Sequence, residues 1–119
     1  MVRIADNGYI TMNRGDTFTL PLFINCGTEL EPIRFYIKDH PGTKVYLGVM
    51  EPNQCFENAI LRKTFNDQSP VNTEGDLLIN FEINDTLYLR PGIYYYQIKV
   101  LIDGEELNTI IPKTPFYIL

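Results

Sequence analysis

The fold of this chain is decided by one stretch, Leu87-Tyr88-Leu89-Arg90-Pro91-Gly92-Ile93-Tyr94-Tyr95-Tyr96-Gln97-Ile98-Lys99-Val100. Pro91 and Gly92 predict a tight turn, because Pro presets its own backbone angle and Gly accepts conformations that other residues avoid. A strand follows the turn directly. This arrangement is typical of a tyrosine corner, in which the Tyr ring enters the core and its hydroxyl bonds to backbone a few residues upstream. The predicted structural corner consists of Leu89, Pro91, Gly92 and Tyr94.

Short strands separated by turn residues account for most of the remaining sequence. Alternation of apolar and polar residues is clearest over 17–24 and 77–83, and a period of two is the mark of a half-buried strand. Pro21 cannot donate to a ladder, so its strand is predicted to lie at an edge or to be bulged there. Asp103-Gly104 suits a type I′ hairpin turn. The predicted strands are 9–12, 17–24, 33–37, 45–50, 60–65, 77–83, 93–102 and a last strand of 107–111 and 116–119, interrupted at 112–115.

This pattern predicts an all-β fold, with residues 1–119 forming one domain. Seven to eight short strands with turn signals about every 8–12 residues indicate an immunoglobulin-like antiparallel β-sandwich with a tyrosine corner. Tyr94 and Tyr96 are predicted to face inward and Tyr95 outward, since successive strand residues point to opposite faces.

Charge and composition exclude several classes of function. The 119 residues carry a formal net charge of −5 and are 45% hydrophobic, which is enough apolar material for one core. Because the basic residues are scattered, we predict neither a nucleic-acid partner nor a membrane partner. The apolar runs are too short for a transmembrane helix or a signal peptide. We therefore expect synthesis and retention in the cytoplasm, unless the chain leaves by lysis or as part of a larger particle.

The residues that could carry chemistry are few and isolated. His40 is the sole histidine and Ser69 the sole serine, and both lie in polar turn sequence. The carboxylates are spread through turns, without the facing pair that acid–base catalysis requires. We therefore predict no catalytic residue, no metal site, no cofactor and no enzymatic activity. Cys26 and Cys55 are predicted to be free thiols, as in a reducing compartment, although the sequence alone permits a bridge between them.

Four segments in order resemble a known family. They are Arg14-Gly15-Asp16-Thr17-Phe18, Asp85-Thr86-Leu87-Tyr88-Leu89-Arg90-Pro91-Gly92-Ile93-Tyr94-Tyr95-Tyr96, Asn108-Thr109-Ile110 and Phe116-Tyr117-Ile118. Together they resemble the N-terminal immunoglobulin-like domain of tailed-phage baseplate upper proteins and related fibre-anchoring proteins. The closing Gly of that family is replaced here by Pro112-Lys113-Thr114-Pro115. The resemblance implies a virion structural protein of the baseplate, tail, neck or head, and it implies no catalytic residue.

A docking role predicts exposed apolar side chains and unpaired strand edges. The expected partners are other virion structural proteins and copies of this chain. The alternative is a carbohydrate-binding or host-adhesion module that uses exposed Tyr rings to stack on sugars. The candidate interface residues are Phe23, Tyr36, Tyr95, Phe116, Tyr117 and Leu119, the last three in a terminal segment that is expected to offer its edge for strand addition.

Overall fold

The structure is a computed structural model that describes residues 2–25, 28 and 30–119. It is an all-β fold, with 48% of the residues in strands. The strands are β1 (Arg3–Ile4), β2 (Ile10–Met12), β3 (Phe18–Leu22), β4 (Lys44–Met50), β5 (Leu61–Asn66), β6 (Leu77–Phe81), β7 (Gly92–Ile102) and β8 (Glu106–Ile118). One short helix, α1, covers Ile83–Thr86, and single 3₁₀ turns cover Ile37–Asp39 and Phe56–Asn58.

The strands form two sheets. The larger has the order β1-β2-β8-β7-β4-β5, and the smaller contains β3 and β6. The prediction of an antiparallel fold was wrong in one pairing, because β2 runs parallel to β8 while the other named pairs are antiparallel. A parallel pair cannot be closed by a tight hairpin. Here β2 and β8 belong to opposite ends of the chain, so no such hairpin constrains them.

The core lies between the two sheets and is built from alternate residues of each strand. Tyr94, Tyr96, Ile98 and Val100 face inward along β7, as predicted, whereas Tyr95 is half-buried on the other face. Pro21 lies in β3, which pairs with β6 and has no second partner among the described residues, so the predicted edge position is confirmed. Other fully buried side chains are Ile10, Met12, Val45, Leu47, Val49, Ile79 and Phe116.

The corner before β7 contains the hydrogen bond that a tyrosine corner requires. The Tyr94 hydroxyl donates to the carbonyl of Arg90 at 2.7 Å, and the Tyr94 ring is 93% buried (7% exposed). Gly92 has φ of 153°, in a region where a side chain would be strained. Leu89 packs against the core from the same turn. The corner therefore fixes the point at which the chain passes from β6 to the opposite sheet.

Residues 33–37 do not form the predicted strand. In the described residues this segment contributes one isolated bridge, between Arg34 and Asn25, before the 3₁₀ turn at Ile37. Phe35 and Ile37 are buried as expected, but Ile33 is 64% exposed. The Phe35 ring stacks on the His40 ring, with centroids 4.2 Å apart. This segment is therefore held by ring packing and core contacts rather than by a strand ladder.

β8 is one continuous strand where the sequence predicted two pieces. The register between β7 and β8 shifts near Tyr96 and Ile98, so that extra β8 residues are accommodated opposite those positions. Bulges of this kind let a strand carry residues that cannot join the ladder, which explains why Pro112 does not break β8. The predicted turn at Asp103-Gly104 is present: both residues have positive φ, 53° and 72°, as a type I′ turn requires. The ladder joins Ile102 to Glu106, so the loop has three residues.

Candidate docking site

The first half of β8 forms an open strand edge. β8 pairs with β7 along most of its length, and on its other side β2 pairs with Phe116–Ile118. Within the part of the chain that the structure describes, no strand pairs with that side of Glu106–Ile111. We call this segment the open edge. Alternate backbone N–H and C=O groups of an edge strand point outward, where they can accept a further strand.

A groove runs beside the open edge. It has a volume of about 580 Å³ and lies between β8 and the segment Phe23–Asn25 that follows β3. Val100, Ile102 and Ile111 supply apolar surface, whereas Glu106 and Asn108 supply polar groups. The groove therefore combines the two elements that an added strand uses, namely unpaired backbone and an apolar surface for alternate side chains.

Phe23, in the opposite wall of the groove, belongs to an aromatic–arginine cluster that we define by Phe23, Arg34, Tyr36 and Asp76. The Arg34 guanidinium carbon lies 4.8 Å from the centroid of the Phe23 ring and 4.8 Å from that of the Tyr36 ring. Arg34 also forms a salt bridge with Asp76. Phe23 and Tyr36 remain 50% and 41% exposed. The cluster thus presents two partly exposed rings that a shared cation orients.

The loop beside the cluster is shaped to receive Tyr36. A Cβ atom at Gly75 would lie 2.8 Å from the Tyr36 ring, and Gly75 has φ of 86°. Both observations require glycine at this position. Next to it, Asp76 accepts a hydrogen bond from the Asn72 side chain at 3.2 Å. This loop fixes the carboxylate that pairs with Arg34.

The structure brings together two of the six predicted interface residues, Phe23 and Tyr36. Tyr95 is half-buried on the outer face of the large sheet, where the Lys113 ammonium lies 5.2 Å from its ring centroid. Tyr117 is half-buried beside Tyr9, with centroids 6.3 Å apart.

The prediction for the terminal segment was wrong. Phe116 is fully buried because its ring faces the core, beside the rings of Phe81 and Tyr96. The backbone of this segment has β2 on one side and β7 on the other. Leu119 is 61% exposed, but its N–H donates to the carbonyl of Met12 at 2.9 Å. The segment therefore lies inside the sheet and offers no edge for strand addition. The available edge belongs to the other half of the same strand.

Sequence reasoning missed Arg34, which joins the two rings. A signal was present: Arg34 and Tyr36 are two residues apart, so an extended backbone places them on one face. What the sequence did not show is that Phe23, eleven positions earlier, packs on the same guanidinium.

Charge is unevenly distributed along the groove. Asp103, Glu105 and Glu106 lie at or beside the hairpin turn at one end of the open edge. Because the chain as a whole carries a net charge of −5, this end favours a partner that carries positive charge. The arrangement is suited to binding an extended segment.

Other kinds of site were also sought. Among the described residues, no group of three or more His, Cys, Asp or Glu side chains is placed to hold a metal ion. Cys55 is exposed and free, whereas Cys26 lies outside the described residues. The described helices include none with the length and apolar character needed to cross a membrane. No protein-family model, curated protein or solved structure matches this chain.

Proposed function

We propose that this chain is an immunoglobulin-like, non-enzymatic docking module of a tailed-phage particle. The order of its strands supports the immunoglobulin-like assignment. The smaller sheet contains β3 and β6. The larger sheet contains β4, β7 and β8, with β5 at its edge. An immunoglobulin sandwich likewise divides its middle strands between two sheets and has its corner before the penultimate strand. The present chain differs in that the smaller sheet contains two strands and β1 and β2 join the larger sheet.

Docking proceeds by addition of an extended partner strand at the open edge. The single observation that carries this role is that the open side of Glu106–Ile111, which no described strand pairs with, lies beside an apolar groove. Backbone hydrogen bonds supply affinity in strand addition, and pockets for alternate side chains supply specificity. The partner is an extended segment with apolar residues at alternate positions and a basic residue near Glu106.

The virion setting rests on the resemblance of the four segments quoted above. Two of them form fixed parts of the fold: the segment at Asp85 leads from α1 into the corner, and the segment at Phe116 fills the core. Mass spectrometry of purified phage particles from the source that encodes this chain tests the setting. Stoichiometric presence of the chain supports it, and its absence from the particles overturns it.

A synthetic peptide tests the docking mode. The probe carries Val at alternate positions, Thr between them and Lys at one end, and hydrogen exchange of the protein amides is followed by mass spectrometry. We expect slower exchange over Glu106–Ile111 when the peptide is bound. Asn108→Trp fills the groove and is expected to abolish the effect, whereas Leu107→Trp, on the opposite face of the same strand, is the matched control. An unchanged exchange rate at saturating peptide contradicts strand addition.

Carbohydrate binding is the second candidate function, and the exposure of Phe23 and Tyr36 is the observation that favours it. Aromatic rings can stack on sugars, but Arg34 lies over both of these rings. A glycan array distinguishes the two functions. Binding that Tyr36→Ala removes and Asn108→Trp leaves unchanged favours carbohydrate recognition over strand addition.

A further inference from the structure

The segment that precedes β2 is placed so that it could occupy the groove. We call Val2–Asn7 the leading segment. In the structure it folds back as a hairpin, in which Arg3 pairs with Thr11 and Ile4 with Ile10. The turn is closed by hydrogen bonds from Ala5 N–H to the Tyr9 carbonyl and from Gly8 N–H to the Ala5 carbonyl, both 2.9 Å. Ile4 is 46% exposed in this position, so the hairpin leaves about half of it in contact with water, whereas Val2 is partly buried against the core.

The sheet register shows where the leading segment would lie if it continued straight from β2. β2 is parallel to β8, and Ile10, Phe116 and Tyr94 lie side by side on β2, β8 and β7. Ile4 precedes Ile10 by six residues, and Val100 follows Tyr94 by six residues in the same direction along the sheet. A straight leading segment therefore brings Ile4 beside Asn108, the residue that pairs with Val100. That position is within the open edge.

The alternation of side chains places the apolar residues of the leading segment in the groove. Ile10 and Met12 are fully buried in β2, and residues an even number of positions away share their face in a straight strand. Val2 and Ile4 meet that condition. Along the sheet, Val2 would lie level with Ile102 and Ile4 level with Val100, and both of these β7 residues line the groove.

One residue opposes this arrangement. Asp6 also shares the face of Ile10, so a straight leading segment turns its carboxylate toward the groove. Burial of an unpaired carboxylate is costly. This cost favours the hairpin and leaves the groove open.

We propose that the leading segment is a strap that competes with docking partners for the groove, and this proposal rests on the proposed function of the open edge. In the hairpin state the open edge is free to accept a partner strand. In the second state the strap lies parallel to β8, inserts Val2 and Ile4, and closes the site. Partner binding and strap insertion exclude each other because both use the same backbone groups of β8.

An engineered disulfide tests the strap in the full chain without any partner. The variant Ile4→Cys/Asn108→Cys is made in a Cys26→Ser/Cys55→Ser background. In the hairpin the two positions are separated by six residues along the sheet, roughly 20 Å, which no disulfide can span. We expect an intramolecular bridge to form in the monomer under mild oxidation. Recovery of the reduced monomer only, or of bridged dimers only, overturns the proposal.

Asp6 provides a second readout. Asp6→Val in the same double-cysteine protein is expected to raise the rate of bridge formation about tenfold or more, because the cost of burying the carboxylate is removed. Ala5→Val, at an exposed position on the opposite face of the leading segment, is the matched control and is expected to change the rate less than about twofold. Equal rates for the two variants contradict the arrangement proposed for the strap.

Locked variants separate the strap from the docking function. Arg3→Cys/Thr11→Cys, in the same background, holds the hairpin closed and is expected to bind the Val/Thr peptide as tightly as the unmodified chain or more tightly. The bridged Ile4→Cys/Asn108→Cys protein is expected not to bind it. If the hairpin-locked protein fails to bind, the docking function is wrong, and bridge formation still decides the strap. If both locked proteins bind equally, the competition is disproved.

Discussion

The two halves of β8 differ in almost every respect although they belong to one strand. Phe116–Ile118 has β2 on one side and β7 on the other, and Phe116 is fully buried. Glu106–Ile111 has β7 on one side and a groove on the other, and Leu107 is 55% exposed. The length of β2 makes the difference: it covers three residues of β8 and then turns away.

This difference separates stability from recognition within a single element. A strand with partners on both sides and a buried face contributes to the free energy of unfolding through its packing. A strand with one open side contributes less but leaves backbone groups for another chain. The first half of β8 is therefore where changes should alter binding with little loss of stability, and the second half is where they should unfold the protein.

The largest expected effect is in the buried half. Phe116→Ala should lower the free energy of unfolding by about 3–5 kcal/mol, because a fully buried ring leaves a cavity between Tyr96 and Phe81. Leu107→Ala in the exposed half should change it by no more than about 0.5 kcal/mol. Urea denaturation measures both. Similar losses for the two variants would remove the distinction between the halves.

The corner supports the buried half, since Tyr94 pairs with Phe116. Tyr94→Phe keeps the ring and removes the hydrogen bond to the Arg90 carbonyl, so we expect a loss of about 1–2 kcal/mol in the free energy of unfolding. Tyr95→Phe, one residue later on the outer face, is the matched control and should be close to neutral. A neutral Tyr94→Phe would show that ring burial alone fixes the corner.

The aromatic–arginine cluster should contribute less to the free energy of unfolding than the corner does. Arg34→Met removes the salt bridge with Asp76 and the contacts with the Phe23 and Tyr36 rings. Because these groups are partly exposed, we expect a loss of about 1 kcal/mol, together with weaker binding of the Val/Thr peptide. Lys44→Met, an exposed cation on β4, serves as the control. Unchanged peptide binding would exclude the cluster from the docking site.

The smallest expected effect is a change in the pH dependence of stability, and it involves Tyr96, which bonds to the backbone just before β2. Its hydroxyl donates to the Gly8 carbonyl at 2.6 Å, and burial raises the pKa of Tyr96 above its usual value of 10.0. The unfolded chain therefore releases this proton at lower pH than the folded chain does. Stability from this group is present below about pH 10 and is lost as the pH rises through the folded pKa. Between pH 8 and 11, the free energy of unfolding should fall less steeply with pH for Tyr96→Phe than for the unmodified chain. Equal pH dependence of the two proteins would contradict this.

Much of the fold follows from local sequence. The period-two alternation of β6 and β7, the edge position of Pro21 and the turn at Asp103-Gly104 depend on backbone geometry and on which side chains avoid water. Those are properties of a few neighbouring residues, so they can be predicted without knowing the partner strands. The exposure of Phe23 and Tyr36 is likewise predicted from local sequence.

The tertiary structure decided what depends on residues far apart in sequence. Phe116 is buried because its ring packs beside Phe81 of the smaller sheet. The edge of β8 is closed there because β2, more than a hundred positions earlier, pairs with it in parallel. The edge of β8 beside the groove is open because β2 pairs with only three residues of β8. Phe23, in the opposite wall, packs on Arg34, which also contacts Tyr36. Alternation tells which face of a strand is apolar, but it does not tell which strand lies beside it. For that reason the sequence predicts an all-β fold, whereas only the packing of distant segments shows which strand edge is open.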